Sequence, residues 1–397
     1  MIYTSKNSDL SSILGSTPDE MEMKGRGSDR VLLVSVVMLM MIGSLSVYSA
    51  IAYFAQSYGQ SAGTFITGHL MKLGIAFVVM LIVSKMDYHL LARLSKPMLL
   101  VSWGLLIFVM LYGETVFGAR RSLTVGGFSF QPSSLAAVSL IMYLSTLIVR
   151  KQEYIKDLKR AFLPALLWIG ITCMLIALED FSSAALLLGI SLAVLFVGRM
   201  HLMQIGLLIL IGALGASGLI LSSTERTARV EQYLTQIVTV QSDDIAQGEG
   251  YQAQQAQIAI AQGGIFGVGI GKSTQRDFLP APYNDFIYAI IAEEYGLLGS
   301  GLVLLLFVII LFRGFVKIAA KAKDLLGLLM ATGATLYITL YAFVNAAVAG
   351  GLFPVTGLPM PFVSYGGTGM IFAGVMTGIL LNISKGVHPN NQPFYMG

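Results

Sequence analysis

Charge is scarce in this sequence. Only 12% of its 397 residues are Asp, Glu, Lys or Arg, while 55% are hydrophobic and mean hydropathy is +0.76. A soluble domain carries about 25% charge. The composition therefore excludes an ordinary soluble domain, and the length must be divided into membrane spans. Cysteine is nearly absent: Cys173 stands alone inside an apolar run. No disulfide can form within the chain, and the redox compartment is unreadable. Residues 1–30 lack an apolar stretch followed by a small-residue cleavage site. They read as a polar, disordered cytoplasmic tail rather than a signal peptide, with a second short tail at 386–397. No internal repeat divides the chain into halves of the kind transporters often show. Nothing points to nucleic acid.

What is present is a series of apolar runs, at roughly 31–55, 68–86, 97–113, 133–149, 162–178, 181–198, 201–222, 284–312, 325–350 and 364–384. They predict an all-α polytopic membrane protein of about ten transmembrane helices, with one membrane domain over 31–385. Lys and Arg set its orientation. Lys85, Arg93 and Lys96, then Arg150 to Arg160, then Arg313 to Lys323, fall on alternate connections together with the N-terminal tail. Both termini are then cytoplasmic, and residues 223–283 form a large extracytoplasmic loop between helices 7 and 8. Arg120, Arg121, Arg226, Arg229, Lys272 and Arg276 lie on the outer side, against that rule, and need a reason.

The outer segments hold the unusual polar residues. In the loop 114–132, Gly126-Gly127 is a turn signal flanked by alternating apolar residues. The adjacent Arg120 and Arg121 suit either an anionic ligand or lipid headgroups. In the long loop, Ala253 to Gln262 reads as a polar helix. The glycine-rich run Gly263 to Gly271, before Lys272, is neither a Walker A nor a dinucleotide motif, since Phe266 and Lys272 stand where glycine is needed. It reads as a flexible re-entrant loop, whose backbone donors and Lys272 could also hold an anion.

Leu279-Pro280-Ala281-Pro282-Tyr283-Asn284-Asp285-Phe286 is the most telling stretch. It puts a carboxylate where a polar loop meets an apolar span, a costly place for charge. Asp285 reads either as a helix cap, a job Asn284 could take instead, or as a general base. Glu293 and Glu294 follow about 12–14 Å deeper along a helix axis, too far to share its proton. They are expected to line a cavity or to pair with a cation such as Lys72. Asp180, after Glu179, carries the same capping alternative. Pro354, Pro359 and Pro361 precede Ser364-Tyr365-Gly366-Gly367-Thr368, which reads as the opening of the last span beneath a rigid loop at the cavity mouth.

Taken in order, these motifs resemble the SEDS (shape, elongation, division and sporulation) family over about residues 30–385. The likeness is carried by Val47-Tyr48-Ser49-Ala50, Gly118-Ala119-Arg120-Arg121, Phe130-Gln131-Pro132-Ser133, Arg229-Val230, Gly250-Tyr251-Gln252, Asn284-Asp285-Phe286, Ala292-Glu293-Glu294-Tyr295-Gly296, Asn345 and Ser364-Tyr365-Gly366-Gly367. The resemblance implies a peptidoglycan glycosyltransferase of the bacterial cytoplasmic membrane that polymerises lipid II. It implies Asp285 as catalytic base, and Arg120, Arg121, Arg229, Lys272, Gln131, Asp180, Glu293, Asn345 and Ser364 as substrate-binding residues. It further implies a divalent cation (Mg or Mn) and no organic cofactor. The implied partners are a class B penicillin-binding protein and other divisome or elongasome membrane proteins. Val47 to Ala50 and Asn284 to Ile291 lie nearer the FtsW (division) branch than the RodA (elongation) branch.

The sequence departs from the family pattern at several points. Leu123 stands near a usual Trp, Ser134 and Ala137 replace a usual Glu and Lys, the flanks of Asp180 differ, and Tyr341 replaces a usual Gln. The missing charges keep open a non-catalytic scaffold for the penicillin-binding protein. The intramembrane carboxylates keep open a lipid flippase or transporter.

Overall fold

A computed structural model describes residues 28–57, 62–116, 119–125, 128–224, 226–228, 230–231, 233, 249–279 and 281–387. The expected tails lie almost wholly outside these residues, as do Gly126, Gly127, Arg229 and Pro280.

Ten apolar helices form the described bundle. They are α1 (Arg30–Ser57), α2 (Ala62–Lys85), α3 (Tyr88–Tyr112), α4 (Pro132–Arg150), α5 (Leu163–Glu179), α6 (Phe181–Val197), α7 (Leu202–Leu221), α9 (Ile287–Phe312), α10 (Leu325–Ala349) and α11 (Gly369–Lys385); the polar α8 (Glu249–Gly263) belongs to the long loop. Eight of the ten are long and apolar enough to cross a membrane, while α6 and α11 are shorter, at 17 residues each. The chain is a multi-pass membrane protein. Helices are the form in which such a segment satisfies its own backbone without water. Their starts are fixed by local chemistry: Asp87, Asp180 and Asp324 accept backbone N–H bonds at the heads of α3, α6 and α10, and Pro132 opens α4. The α4 and α10 helices are the most enclosed, and α7 shows its apolar face outward along most of its length.

The two ends of the bundle differ. At one end Asp29, just before α1, accepts from Arg313 Nε at 2.9 Å, and its own N–H donates to Ser384 Oγ at 3.0 Å. His89 meets Asp324 at 2.8 Å, and Lys385 Nζ donates to the Ser84 carbonyl at 2.7 Å. Both chain ends and the basic connections thus share one face, as an even number of spans requires.

The opposite end holds one element that an all-α reading omits. There β1 (Glu114–Val116), β2 (Ala119–Val125) and β3 (Phe128–Phe130) form a three-stranded antiparallel sheet. Val125 pairs with Phe128 across the expected turn position. The sheet is tied to the start of α11, where Gln131 N–H donates to Thr368 Oγ1 at 2.9 Å and Phe130 packs edge-on against Phe372.

Candidate active site

The Asp285 turn is built from the backbone outward. Residues 282–286 form a turn, and α9 begins only at Ile287, with Phe286 at its N-cap and no side-chain cap bond. The N-cap position thus falls on Phe286 and is occupied by neither Asp285 nor Asn284. Three successive carbonyls of the turn are instead held from elsewhere. Tyr365 N–H donates to the Tyr283 carbonyl at 2.8 Å, Ser364 Oγ to the Asn284 carbonyl at 2.7 Å, and Asn345 Nδ2 to the Asp285 carbonyl at 2.9 Å. Asn345 also donates to the Leu358 carbonyl at 2.8 Å, and Ser364 Oγ accepts from Met360 N–H at 2.8 Å. Asn345 and Ser364 are both almost fully buried. Asp285 is half-buried, with Oδ1 shielded from water. The proline-rich segment and the end of α10 thus hold the turn as a rigid unit. Ser364 lies in a turn ahead of α11, which starts at Gly369, rather than opening the span itself.

Glu293 and Glu294 have a different task from the one expected. Neither pairs with Lys72. Glu293 is fully buried and accepts from Ser273 Oγ, from Thr274 N–H at 2.8 Å and from Thr274 Oγ1 at 3.1 Å. Glu294 accepts from Ser49 Oγ of α1, whose carbonyl accepts from Arg276 at 3.1 Å. One turn on, α9 is broken at Gly296 (φ 68°, ψ −164°). The break frees carbonyls, and the glycine loop supplies the donors: Val268 N–H to the Glu293 carbonyl at 2.9 Å and Gly269 N–H to the Glu294 carbonyl at 3.1 Å. The amides of Gly267, Val268 and Gly269 are thus engaged by carbonyls. Gly267 (φ 81°) lies so close that a Cβ there would stand 2.2 Å from the Glu294 carbonyl oxygen. The run from Gly263 to Gln275 is a clamp onto the broken helix. Lys272, within that run, is exposed.

The remaining predicted residues divide. Asp180 caps α6, accepting from Ser183 N–H at 3.0 Å and Ser183 Oγ at 2.7 Å. Gln131 is the N-cap of α4, beside Thr368. Arg120 and Arg121 lie in β2, on the same end of the bundle as the Asp285 turn; only their backbone is described. Two outer cations have structural reasons. Arg226 donates to the carbonyls of Ala177 and Leu178, at the end of α5, and of Leu219 near the end of α7, while Arg276 anchors the long loop to α1. Ser134, where the family pattern has a Glu, shares a side-chain hydrogen bond with Tyr337, and Tyr341, where it has a Gln, shares one with Ser183; the two tyrosine rings are 4.9 Å apart. Among the described residues no three His, Cys, Asp or Glu side chains gather as a metal site.

The sequence reading missed His69. It is fully buried two turns into α2, stacked on Tyr365 with ring centroids 5.6 Å apart. The available signal was a His one turn before a Lys inside an apolar run, since ionisable residues are rare at such depth.

Comparisons with known proteins agree on the whole length. A family model described as cell cycle protein, FtsW/RodA/SpoVE, matches residues 30–388. The chain is 34% identical to stage V sporulation protein E of Bacillus subtilis (strain 168), over 92% of this chain and 99% of that protein. It is 32% identical to the probable peptidoglycan glycosyltransferase FtsW of Geobacter sp. (strain M18), over 90% and 97%. Among solved structures, a chain of a peptidoglycan synthase complex superposes with a TM-score of 0.71 at 23% identity, covering 91% of this chain and 99% of that one. The rod shape determining protein RodA of Thermus thermophilus gives 0.63 at 22% identity, covering 90% and 96%.

Proposed function

This chain belongs to the FtsW/RodA/SpoVE family, and we propose that it is a peptidoglycan glycosyltransferase that polymerises lipid II at the outer face of the bacterial cytoplasmic membrane, in cell division. The observation that carries this reading is the turn at Asp285, whose three carbonyls are fixed by Tyr365, Ser364 and Asn345. A general base must be held where its proton is delivered, because misplacement by about 1 Å costs two orders of magnitude in rate. A carboxylate on a fixed turn at the bundle end opposite the chain termini meets that need.

In this reading the Asp285 carboxylate takes the proton from the 4-hydroxyl of the acceptor GlcNAc. The freed oxygen attacks the anomeric carbon of the donor MurNAc, and undecaprenyl pyrophosphate departs with the bonding electrons. Charge builds on the leaving pyrophosphate, where fixed cations stabilise the transition state most. Arg120, Arg121, Arg229 and Lys272 are the candidates for that work; Glu293, Asp180, Asn345 and Ser364 hold the scaffold. A divalent cation bound with the pyrophosphate would add positive charge there. The resemblance to a chain of a peptidoglycan synthase complex supports a class B penicillin-binding protein as partner. The transporter reading loses support, since Glu293 is fully engaged by Ser273 and Thr274 instead of lining a path.

The test is polymerisation of labelled lipid II by the purified chain with its transpeptidase, comparing wild type with Asp285→Asn. Polymer from the wild type and a loss of about a hundredfold or more in the variant is expected for a general base. Wild-type rates from Asp285→Asn would remove the assignment. Lipid II crossing vesicles without polymer would turn it to a flippase, and partner binding without either activity to a scaffold.

A further inference from the structure

In the first half of α2, His69 and Lys72 stand one helical turn apart and face the loop that supports Asp285. His69 is fully buried, and neither of its ring nitrogens has a hydrogen-bond partner among the described residues. Lys72 places its ammonium 4.9 Å from the centre of the Tyr365 ring, and no carboxylate pairs with it among the described residues. A lysine and an unsatisfied imidazole in a membrane span are costly, and a cation–π contact returns only about 1–2 kcal/mol. Together they leave a cation and one ring N–H able to donate a hydrogen bond, with no anion among the described residues to receive them.

Their surroundings locate what could fill that need. Tyr365 lies between this pair and the Asp285 turn. Its ring meets Tyr283 at 5.4 Å, edge to face, and its N–H holds the Tyr283 carbonyl. Beside it, Gly63, Thr64, Thr67, Gly68 and Met71 line an open recess of about 470 Å³ on the same helix. A Cβ added at Gly68 would stand 4.0 Å from the Tyr365 hydroxyl, so the recess lies next to the same ring. The backing is rigid: α2 packs so closely on α11 that a Cβ at Gly374 would stand 2.5 Å from the Ala76 carbonyl oxygen.

We propose that His69 and Lys72 form an anion subsite, reached from the recess on α2, that binds the diphosphate of a polyprenyl-linked ligand. Lys72 supplies the charge and His69 a directional N–H, with Tyr365 as the wall they share with the catalytic turn. A diphosphate presented by a polyprenyl chain suits the position, because the chain stays in lipid while the headgroup reaches a cation at depth. Only the ligand's identity rests on the polymerase reading. The chain's own imbalance of cation and anion stands without it.

The experiment uses the full chain in phosphatidylcholine nanodiscs, titrated with a fluorescent polyprenyl diphosphate, with inorganic pyrophosphate as competitor. Lys72→Met should weaken binding about tenfold, the scale of a charge-assisted contact. His69→Phe, which keeps the stack on Tyr365, should weaken it a few-fold, and Lys72→Arg should retain most of it. Inorganic pyrophosphate should compete poorly. Thermal melts identify any variant that fails to fold, in which case Lys72→Arg and His69→Phe still decide the matter. Wild-type affinity in both Lys72→Met and His69→Phe would overturn the subsite. Equal displacement by inorganic pyrophosphate would overturn the lipid-linked ligand. If binding falls as expected but no polymer forms from lipid II, the polymerase reading fails and the subsite stands; if polymer forms while both variants bind normally, the reverse holds.

Discussion

Asn345, on α10, donates its side-chain amide to the backbone carbonyl of Asp285 at 2.9 Å and to that of Leu358 at 2.8 Å. A single buried amide thus joins the carboxylate-bearing turn to the proline-rich segment. Asn345→Ala leaves two carbonyls without a donor, at about 1–3 kcal/mol for each buried group left unpaired. Turnover of lipid II should fall by more than the melting temperature suggests, with the loss in kcat rather than in substrate affinity. Unchanged kcat alongside a lowered melting temperature would make Asn345 a purely structural residue.

The clamp at the broken helix makes a second prediction. Gly267 has a φ of 81° and no room for a side chain beside the Glu294 carbonyl. Gly267→Ala should destabilise the chain by about 1–3 kcal/mol, the usual cost of a strained backbone position. The displaced loop should also become sensitive to protease between residues 263 and 276. A variant as resistant as wild type would show that the loop can shift without cost.

Glu293 holds that loop from beneath. Glu293→Ala leaves the Ser273 and Thr274 donors without their acceptor, at about 1–3 kcal/mol for each buried group left unpaired, so it should melt well below wild type. Glu293→Gln keeps the shape and part of the bonding and should be milder. Equal melting of Glu293→Ala and wild type would contradict the clamp.

Acid should release the cap of α3. Asp87 lies just before that helix. The His89 backbone N–H bonded to it, aided by the His89 ring and the Arg93 charge and opposed by slight burial, holds its carboxyl below the usual range. A depressed carboxylate contributes stability above its unfolded value of about 3.9 and loses it as pH falls through the folded value. The site is exposed, so Asp87→Ala should cost no more than about 1 kcal/mol at neutral pH. The gap between variant and wild type should narrow as the pH is lowered below about 3.9, read by thermal melts across pH. A gap independent of pH would assign the effect to packing.

The hydropathy pattern alone determined the ten apolar helices, because a backbone in lipid has few ways to satisfy itself. The positions of Lys and Arg agree with the shared face of the two chain ends. The local order of motifs placed Asp285 and Asn345 in one family pattern. Capping by Asp180 was also legible, since that bond spans three residues.

Tertiary structure decided what those residues do. Glu293 and Glu294 read as cavity or ion-pair carboxylates until the loop from Gly263 to Gln275 folds onto them from outside α9. Ser364 reads as a helix start until its hydroxyl is seen holding the carbonyl of Asn284, 80 residues earlier. His69 and Lys72 sit in a span that sequence marks only as apolar, and Tyr365 reaches them from the far end of the chain. Periodicity and composition report what each segment can do within a few turns of itself. Which distant donor meets which carbonyl depends on helices brought together by packing, and no local pattern contains that information.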